Sequence, residues 1–399
     1  MRKLDARTEQ YLLGRSVRAE LPPRVRNAFT GRRVLITGAG GSVGSELARQ
    51  LAVCRPTDIV LLDNAEYLLF RTAHALEDFR ADVDVHTALA DVSRIEDITA
   101  ACRHYRPEFI FHAAAIKHVT IAEQCIVPAV RTNVLGAAYT AQAASEIGAR
   151  FILISTDKAA GPHSVMGATK RLAELCVLDR RASRGAIAVR FGNVLGSSGS
   201  VVEVLMDAAR IGRPLTVTDP GATRFFMTAG EAASLVLRAA VCGQPGEVFW
   251  LDMGTPLRLS DLVDRILDVV TPAGMTRAPM RIVGLRPGEK RNEELTTREL
   301  AMEPTDDPAI WRARQAPSTG SLPMALEQLR RACASGDAEL ALLVVEKTVV
   351  DYTPSTDARV AAQRASHAAR SAAVDAPGDP QERAALLRRP APHRLLRLA

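Results

Sequence analysis

Long hydrophobic runs are missing. No apolar stretch in the 399 residues approaches the roughly 18 needed to span a bilayer, and the best candidate, Leu340–Val350, is broken by Glu346 and Lys347. The first residues carry Arg2, Lys3, Asp5 and Arg7 with no apolar segment behind them, so no secretory leader is expected. Cysteine is sparse and scattered: Cys54, Cys102, Cys125, Cys176, Cys242 and Cys333 include no CxxC pair. That excludes the common zinc spacings and a disulfide-stapled secreted fold, and a reducing cytoplasm is the expected compartment. A basic body is missing too, despite the formal charge of +6: residues 1–33 hold nine Lys/Arg against three Asp/Glu, residues 354–399 eight against four, leaving −4 for the rest. The basicity sits in the two ends, which argues against a nucleic-acid-binding face on the core and leaves the ends free to touch acidic membranes or nothing. What remains, 47% apolar and 24% charged residues, is an ordinary globular composition with room for two modest domains.

The richest stretch is Phe151–Lys170, FILISTDKAAGPHSVMGATK. Five strand-like residues, Phe151–Ser155, run into Thr156, Asp157 and Lys158, then through the turn signal Gly161-Pro162 into a helical pattern with Met166 and Lys170. A buried strand ending in polar residues delivers them to the carboxyl edge of a sheet, where open α/β folds bind ligands. Met166 and Lys170, four apart, share a helix face that can look back at that strand end. The competing reading is a solvated loop with three scattered polar residues.

Upstream, Val34–Thr37 reads as a short buried strand leading into Gly38-Ala39-Gly40-Gly41-Ser42-Val43-Gly44 and the helical pattern of Leu47, Leu51 and Ala52. Glycines at 38, 41 and 44 let the backbone turn tightly and approach a diphosphate seated on the helix N-terminus. Asp63 ends the next strand, Ile59–Leu62, where a carboxylate can accept from the adenosine ribose hydroxyls of a dinucleotide and would repel a 2′-phosphate, favouring NAD over NADP. Capping the helix that begins near Ala65 is its alternative duty. A third strand, Val83–Ala90, stops at Asp91-Val92, a candidate adenine contact. A fourth, Phe109–Phe111, leads to His112 and the small residues Ala113, Ala114 and Ala115, past which a dinucleotide could lie close, and then to Lys117 and His118. His118 has no second ligand at zinc spacing and reads as structural or substrate-edge. Lys117 and Asn133 are counted with the cofactor contacts, although Asn133 sits in an Ala/Leu-rich helix, where an amide more often serves packing. Further strands at Ile187–Phe191, ending in Gly192-Asn193, and at Val248–Asp252 complete the alternation of a doubly wound parallel α/β sheet.

Residues 1–30 read as a lead-in arm and 31–195 as the dinucleotide-binding domain, to which strand 248–252 returns. From 196 the pattern changes to a smaller lobe running to 352. It holds the polar loop Gly196–Ser200, the cluster Arg224–Met227 and the charged turn Leu285–Lys290. Its arginines suit a diphosphate or uracil edge, though each alone could be a surface ion pair. Beyond Tyr352, Ala, Arg, Pro and Ser dominate with almost no aromatics, and disorder is expected.

Together, Thr37–Gly44, Ser155-Thr156-Asp157-Lys158-Ala159, Met166–Lys170, Arg190–Val194, Arg224–Thr228 and Leu285–Lys290 resemble the extended short-chain dehydrogenase/reductases. More narrowly they resemble the UDP-N-acetylglucosamine 4,6-dehydratases of bacterial polysaccharide biosynthesis, from Leu12-Leu13-Gly14-Arg15 to about residue 310. Many members of that family add N-terminal transmembrane helices, and this chain resembles their catalytic half. Ordinary superfamily members carry Tyr where Met166 stands, and a thioether cannot take a proton. The membrane-type branch of the dehydratases looks the same, with the Thr-Asp-Lys group carrying the acid–base work. The resemblance implies a bound NAD, a UDP-sugar substrate, retention at C5 and a homo-oligomer. It implies Asp157 as acid, Lys158 as a partly neutral base at C5, Thr156 bonded to the C4 oxygen, and Lys170 on the nicotinamide ribose. Asn193, Arg224, Arg286 and Glu289 would surround the nucleotide sugar. The rival readings are a nucleotide-sugar epimerase using the same NAD and a non-catalytic dinucleotide-binding sensor.

Overall fold

The computed structural model describes residues 4–179, 185–272, 275–293, 302–314 and 322–375. Nine strands form the main sheet: β1 (Arg33–Thr37), β2 (Asp58–Asp63), β3 (Asp84–Leu89), β4 (Phe109–His112), β5 (Arg150–Ile154), β6 (Ala186–Arg190), β7 (Glu247–Leu251), β8 (Glu303–Pro304) and β9 (Ile310–Arg314). Their spatial order is β8-β9-β7-β6-β5-β4-β1-β2-β3. The seven strands from β3 to β7 are parallel; β9 joins β7, and β8 joins β9, antiparallel. The order reverses between β1 and β4, which opens a crevice at their carboxyl ends.

The central strands read as continuous apolar runs because both faces are covered. Val34, Ile36, Phe111, Ile152 and Phe249 point into one layer with Leu47 and Leu51 of the helix Ser42–Val53. Alternate residues, Leu35, Val60, Ile110, Phe151, Leu153 and Trp250, point into the other.

The lobe is smaller than the sequence pattern predicts. It is built on helices Val201–Arg210 and Leu259–Val270, packed through Leu205, Met206, Leu262 and Ile266. Strand pairs Leu215–Val217 with Met280–Ile282, Asn193–Val194 with Phe226–Met227, and Thr223–Arg224 with Leu257–Arg258 complete it. Residues after 302 leave it: β8 and β9 extend the main sheet, and helices Leu322–Ser335 and Ala338–Thr348 pack on Ile126–Val130, Arg131–Gly136 and Val165–Leu178. The lobe's assignment out to 352 is corrected accordingly. The arm is part of both bodies. Leu12 and Leu13, on the helix Ala6–Leu13, are buried in the lobe, while Val25 and Phe29, on Pro23–Phe29, lie in the main core with Phe29 against Phe109 and Phe111.

The disorder expected past Tyr352 also needs correction. Thr356–Asp375 is a helix whose Ala358 and Ala362, one turn apart, are buried with Tyr352 and Val345. Small residues at helical spacing buried a face there without aromatics. Residues 376–399 lie outside the described residues. Among the described residues, no helix is long and apolar enough to cross a membrane, and no group of three or more His, Cys, Asp and Glu could hold a metal ion.

Candidate functional site

A cleft of about 780 Å³ opens at the carboxyl ends of β1, β4, β5 and β6 and is roofed by the lobe. Its floor is the turn after β1. Gly38 holds φ +65°, and a Cβ there would lie 2.5 Å from the backbone nitrogen of Ala114; one at Gly44 would strike the Gly38 carbonyl. Only glycine lets these three backbone segments meet. The helix Ser42–Val53 starts from Gly41 without a side-chain cap, so its first N–H groups open on the cleft beside Gly41, Ser42, Val43 and Gly44. Uncapped N–H groups at a helix start suit an anion such as a dinucleotide's diphosphate, and the residues present fit that group.

Asp63 braces the turn: Gly40 N donates to its Oδ2 at 2.9 Å and Ala65 N to its Oδ1 at 2.9 Å. The bond to Ala65 N closes the turn ahead of the helix Glu66–His74, whose N-cap, Ala65, has no side-chain cap, and the Asp63 side chain stands behind the glycine turn and not on the cleft wall. Ala113 and Lys117 line the cleft; Ala114 packs under Gly38. Burial pushes the Lys117 ammonium below its ordinary value, against the opposing pull of Glu203. The loop Gly196–Ser200 crosses the dinucleotide turn, with Ser198 N donating to Ser42 Oγ at 3.1 Å and Gly199 tight against the His118 ring.

Three further expected cofactor contacts stand away from the cleft. Asp91 turns its Oδ1 to Ser93 N at 2.8 Å, Val92 is buried beneath Gly136, and neither lines the cleft. Asn133 is fully buried and off the cleft. Its Oδ1 accepts from Ile116 N at 2.8 Å, and its Nδ2 donates to the Ile116 carbonyl at 3.1 Å and Thr169 Oγ1 at 3.0 Å. It clasps the loop after β4 in place of a ligand.

The reactive stretch lies where the sequence put it, at the tip of β5. A 3₁₀ turn, Asp157–Ala159, follows the strand with Thr156 as its cap. The helix Val165–Leu178 then starts at Ser164, whose Oγ accepts from Gly167 N, and brings Met166 and Lys170, both nearly buried, to the cleft. Asp157 is 2% exposed. Its Oδ1 accepts from Thr156 Oγ1 at 2.9 Å and Lys158 Nζ at 3.1 Å, while no hydrogen-bond donor reaches Oδ2. Lys158 Nζ also donates to Asn193 Oδ1 at 3.2 Å.

Sequence reasoning missed Glu293. Its carboxylate lies 2.6 Å from Lys158 Nζ and 3.4 Å from Arg224 Nε, and accepts from Asn193 Nδ2 at 3.2 Å. Nothing in its local spacing marks it. The available signal was chemical, since a cleft receiving Lys158 and Arg224 needs more than one counter-carboxylate. Arg224 is fixed by the carbonyls of Thr223 and Arg291, at 2.9 Å each. Arg286 and Glu289 line the cleft and close their own turn, Arg286 N donating to Glu289 Oε2 at 3.3 Å, and Lys290 Nζ reaches the Ala160 carbonyl at 3.3 Å.

The electrostatics reverse one expectation. Burial alone would lower the Lys158 ammonium, but Asp157 and Glu293 outweigh it and hold Lys158 above the ordinary lysine value, charged rather than partly neutral. Burial drives Lys170 down to about 8, only partly offset by Glu174. Burial would raise Asp157, yet the Lys158 charge and hydrogen bonds from Lys158, Thr156 and, when it carries a proton, Glu293 bring it below the usual carboxylate range. Burial pushes Glu293 up to about 7, with Asp157 adding to the rise and Lys158 opposing it. Two buried carboxyls beside one ammonium are thus pushed apart in proton affinity, Asp157 down and Glu293 up.

Residues 34–315 match the family described as polysaccharide biosynthesis protein. The probable polysaccharide biosynthesis protein EpsC of Bacillus subtilis is 40% identical over 297 residues, 73% of this chain and 49% of that one, so the chain spans about half the length of EpsC. A UDP-glucose 4-epimerase of Rickettsia akari is 32% identical over 281 residues, 68% of this chain and 79% of that protein. The crystal structure of Pen from Bacillus thuringiensis superposes with a TM-score of 0.65 at 28% identity, covering 72% of this chain and 91% of Pen. With its doubly wound sheet, its glycine-floored cleft and these matches, the chain belongs to the polysaccharide biosynthesis protein family.

Proposed function

We propose that the chain is a nucleotide-sugar 4,6-dehydratase that uses a resident NAD and removes water from UDP-N-acetylglucosamine, with C5 configuration retained, to leave a 4-keto-6-deoxy sugar nucleotide. The observation that carries this reading is a buried pair of carboxyls, Asp157 and Glu293, around Lys158, beside a glycine-floored turn, with Met166 where a tyrosine would otherwise serve as base. Dehydration demands protons moved in both directions, and this cluster holds groups for both. The preference for NAD over NADP rests on Asp63, whose carboxylate next to the turn would repel a 2′-phosphate.

A nicotinamide dinucleotide, when bound, supplies the hydride acceptor for C4 and the hydride donor for C6. Gly41–Gly44 would hold its diphosphate, and Lys170 its nicotinamide ribose. Thr156, at the lip of the cluster, would hydrogen-bond the C4 oxygen. Asp157 would face C5 and C6. Lys158, kept charged, would stabilise the negative charge that builds on the C4 oxygen when the C5 proton is taken. Asn193, Arg224, Arg286 and Glu289 would receive the nucleotide-diphosphate end, where arginine forks match phosphate oxygens.

The test is mass spectrometry of UDP-N-acetylglucosamine after incubation with purified protein and NAD. A product lighter by one water supports the reading, and unchanged mass with inverted C4 configuration supports epimerisation instead. The epimerase reading has one specific support, the 32% identity to the Rickettsia akari enzyme. A bound dinucleotide with every nucleotide sugar returned unaltered would mark a sensor.

A further inference from the structure

We propose that Glu293 is the proton-holding partner of Asp157 in this reaction, a positioning residue that keeps one proton on the carboxyl pair so that the site contains a base and an acid together. The inference rests on the dehydratase reading. Elimination from the 4-ketone breaks the C5–H bond and then the C6–O bond, and a proton taken at C5 is matched by a proton given to the departing oxygen. A site that holds a free carboxylate and a carboxylic acid at one moment can take the first proton and give the second.

The geometry supplies that state. Asp157 Oδ1 is committed to Thr156 and Lys158, while Oδ2 is buried without a donor. Protonated Glu293 is the group placed to supply one. The groups facing Glu293 are Asp157 and Lys158 from the turn after β5, Arg224 from the strand Thr223–Arg224, and Asn193 from the strand Asn193–Val194. Lys158 and Arg224 stabilise the Glu293 carboxylate whenever its proton passes to Asp157 Oδ2. In the cycle, ionised Asp157 takes the C5 proton as the C5–H electron pair moves toward C4. The pair then holds two protons. As C5=C6 forms, the C6–O bond breaks, its electrons go to oxygen, and the proton that Glu293 held passes through Asp157 Oδ2 to that oxygen, so that water leaves. The pair holds one proton again, and no other reactant is needed.

In wild-type enzyme, kcat/KM for dehydration should fall as pH rises through about 7, where Glu293 loses its proton. Glu293→Gln keeps the shape and an N–H for Asp157 but carries no transferable proton. Its kcat should drop by about 100-fold or more, with KM for the nucleotide sugar within about 3-fold and the alkaline limb gone. Glu293→Asp should restore the limb and part of the rate. Infrared spectra of the cofactor-free protein give a readout independent of turnover: a protonated-carboxyl C=O band present at pH 6 and lost by pH 8 in wild type, and absent in Glu293→Gln. Wild-type dehydration with no alkaline limb near pH 7, or an unchanged limb or infrared band in Glu293→Gln, overturns the role of Glu293. A wild-type enzyme that leaves nucleotide-sugar mass unchanged while showing the infrared band overturns the dehydratase reading and leaves the shared proton standing.

Discussion

Glu174→Gln should be among the most destabilising single changes in the chain that leave side-chain shape intact. Glu174 is fully buried one turn beyond Lys170. It accepts from Ser155 Oγ at 2.5 Å, Arg190 Nε at 2.7 Å and Arg171 Nη1 at 3.1 Å, and Arg190 Nη2 closes a second contact with it. Arg190 is itself at zero exposure, its guanidinium 4.7 Å from the Trp250 ring centre. A neutral amide leaves that buried guanidinium without its counter-charge, a loss of about 3–5 kcal/mol. Equilibrium guanidinium denaturation at pH 7.5 measures it. Glu339→Gln, at the exposed pair with Arg370, is the control and should cost less than about 1 kcal/mol. Replacing both buried partners, Glu174→Met with Arg190→Met, should recover much of the single-mutant loss, because the main buried cation leaves with its anion. The pH dependence has a definite sign. Arg190, Arg171 and Ser155 together outweigh burial and hold the Glu174 carboxyl below its ordinary 4.5. Its contribution is therefore complete above about pH 4.5 and lost as pH falls through the lower folded value. Wild type should show this acid loss and Glu174→Gln should not. A single-mutant cost under 1 kcal/mol would refute the reasoning.

Asn133→Ala strips the Ile116 N–H and carbonyl of their partners in a buried setting and should cost about 2–4 kcal/mol by the same denaturation, while loosening the loop that carries Lys117. Gly38→Ala should abolish dinucleotide binding in a fluorescence titration, since the new Cβ meets Ala114. Gly212→Ala, at φ +68° with nothing within 4 Å, should cost only about 1–2 kcal/mol and bind normally. Deleting residues 353–399 removes Ala358 and Ala362 from their cluster and Ser355 from its 2.7 Å bond to Glu123. The thermal midpoint should fall, and limited proteolysis should cut within Ala338–Thr348, which the intact helix Thr356–Asp375 covers.

Local pattern was sufficient for the seven parallel strands and the glycine turn, but not for β8 and β9, which the sequence pattern assigned to the lobe. Apolar runs such as Val34–Thr37 and Phe151–Ile154 are strands because helices cover both faces, and Gly38 and Gly44 sit where backbones touch, so each residue type reports its own surroundings. Met166 and Lys170 were legible for the same reason, since four residues apart is about one helical turn and so a local property. Placements that depend on distant partners were not. Asn133 and Asp91 look like ligand contacts by position, yet tertiary packing gives one to Ile116 and the other to Ser93. The helix Thr356–Asp375 has too few large apolar residues to announce itself, and only its neighbours make it a buried element. Chain order alone determined which carboxylate, amine and hydroxyl stand at the tip of β5. Asp157 and Lys158, neighbours in sequence, hold each other charged, but the second carboxyl of the cluster, Glu293, arrives from 135 positions beyond Lys158, and only the fold brings it there, because a proton's affinity for a buried group depends on all the charges packed around it.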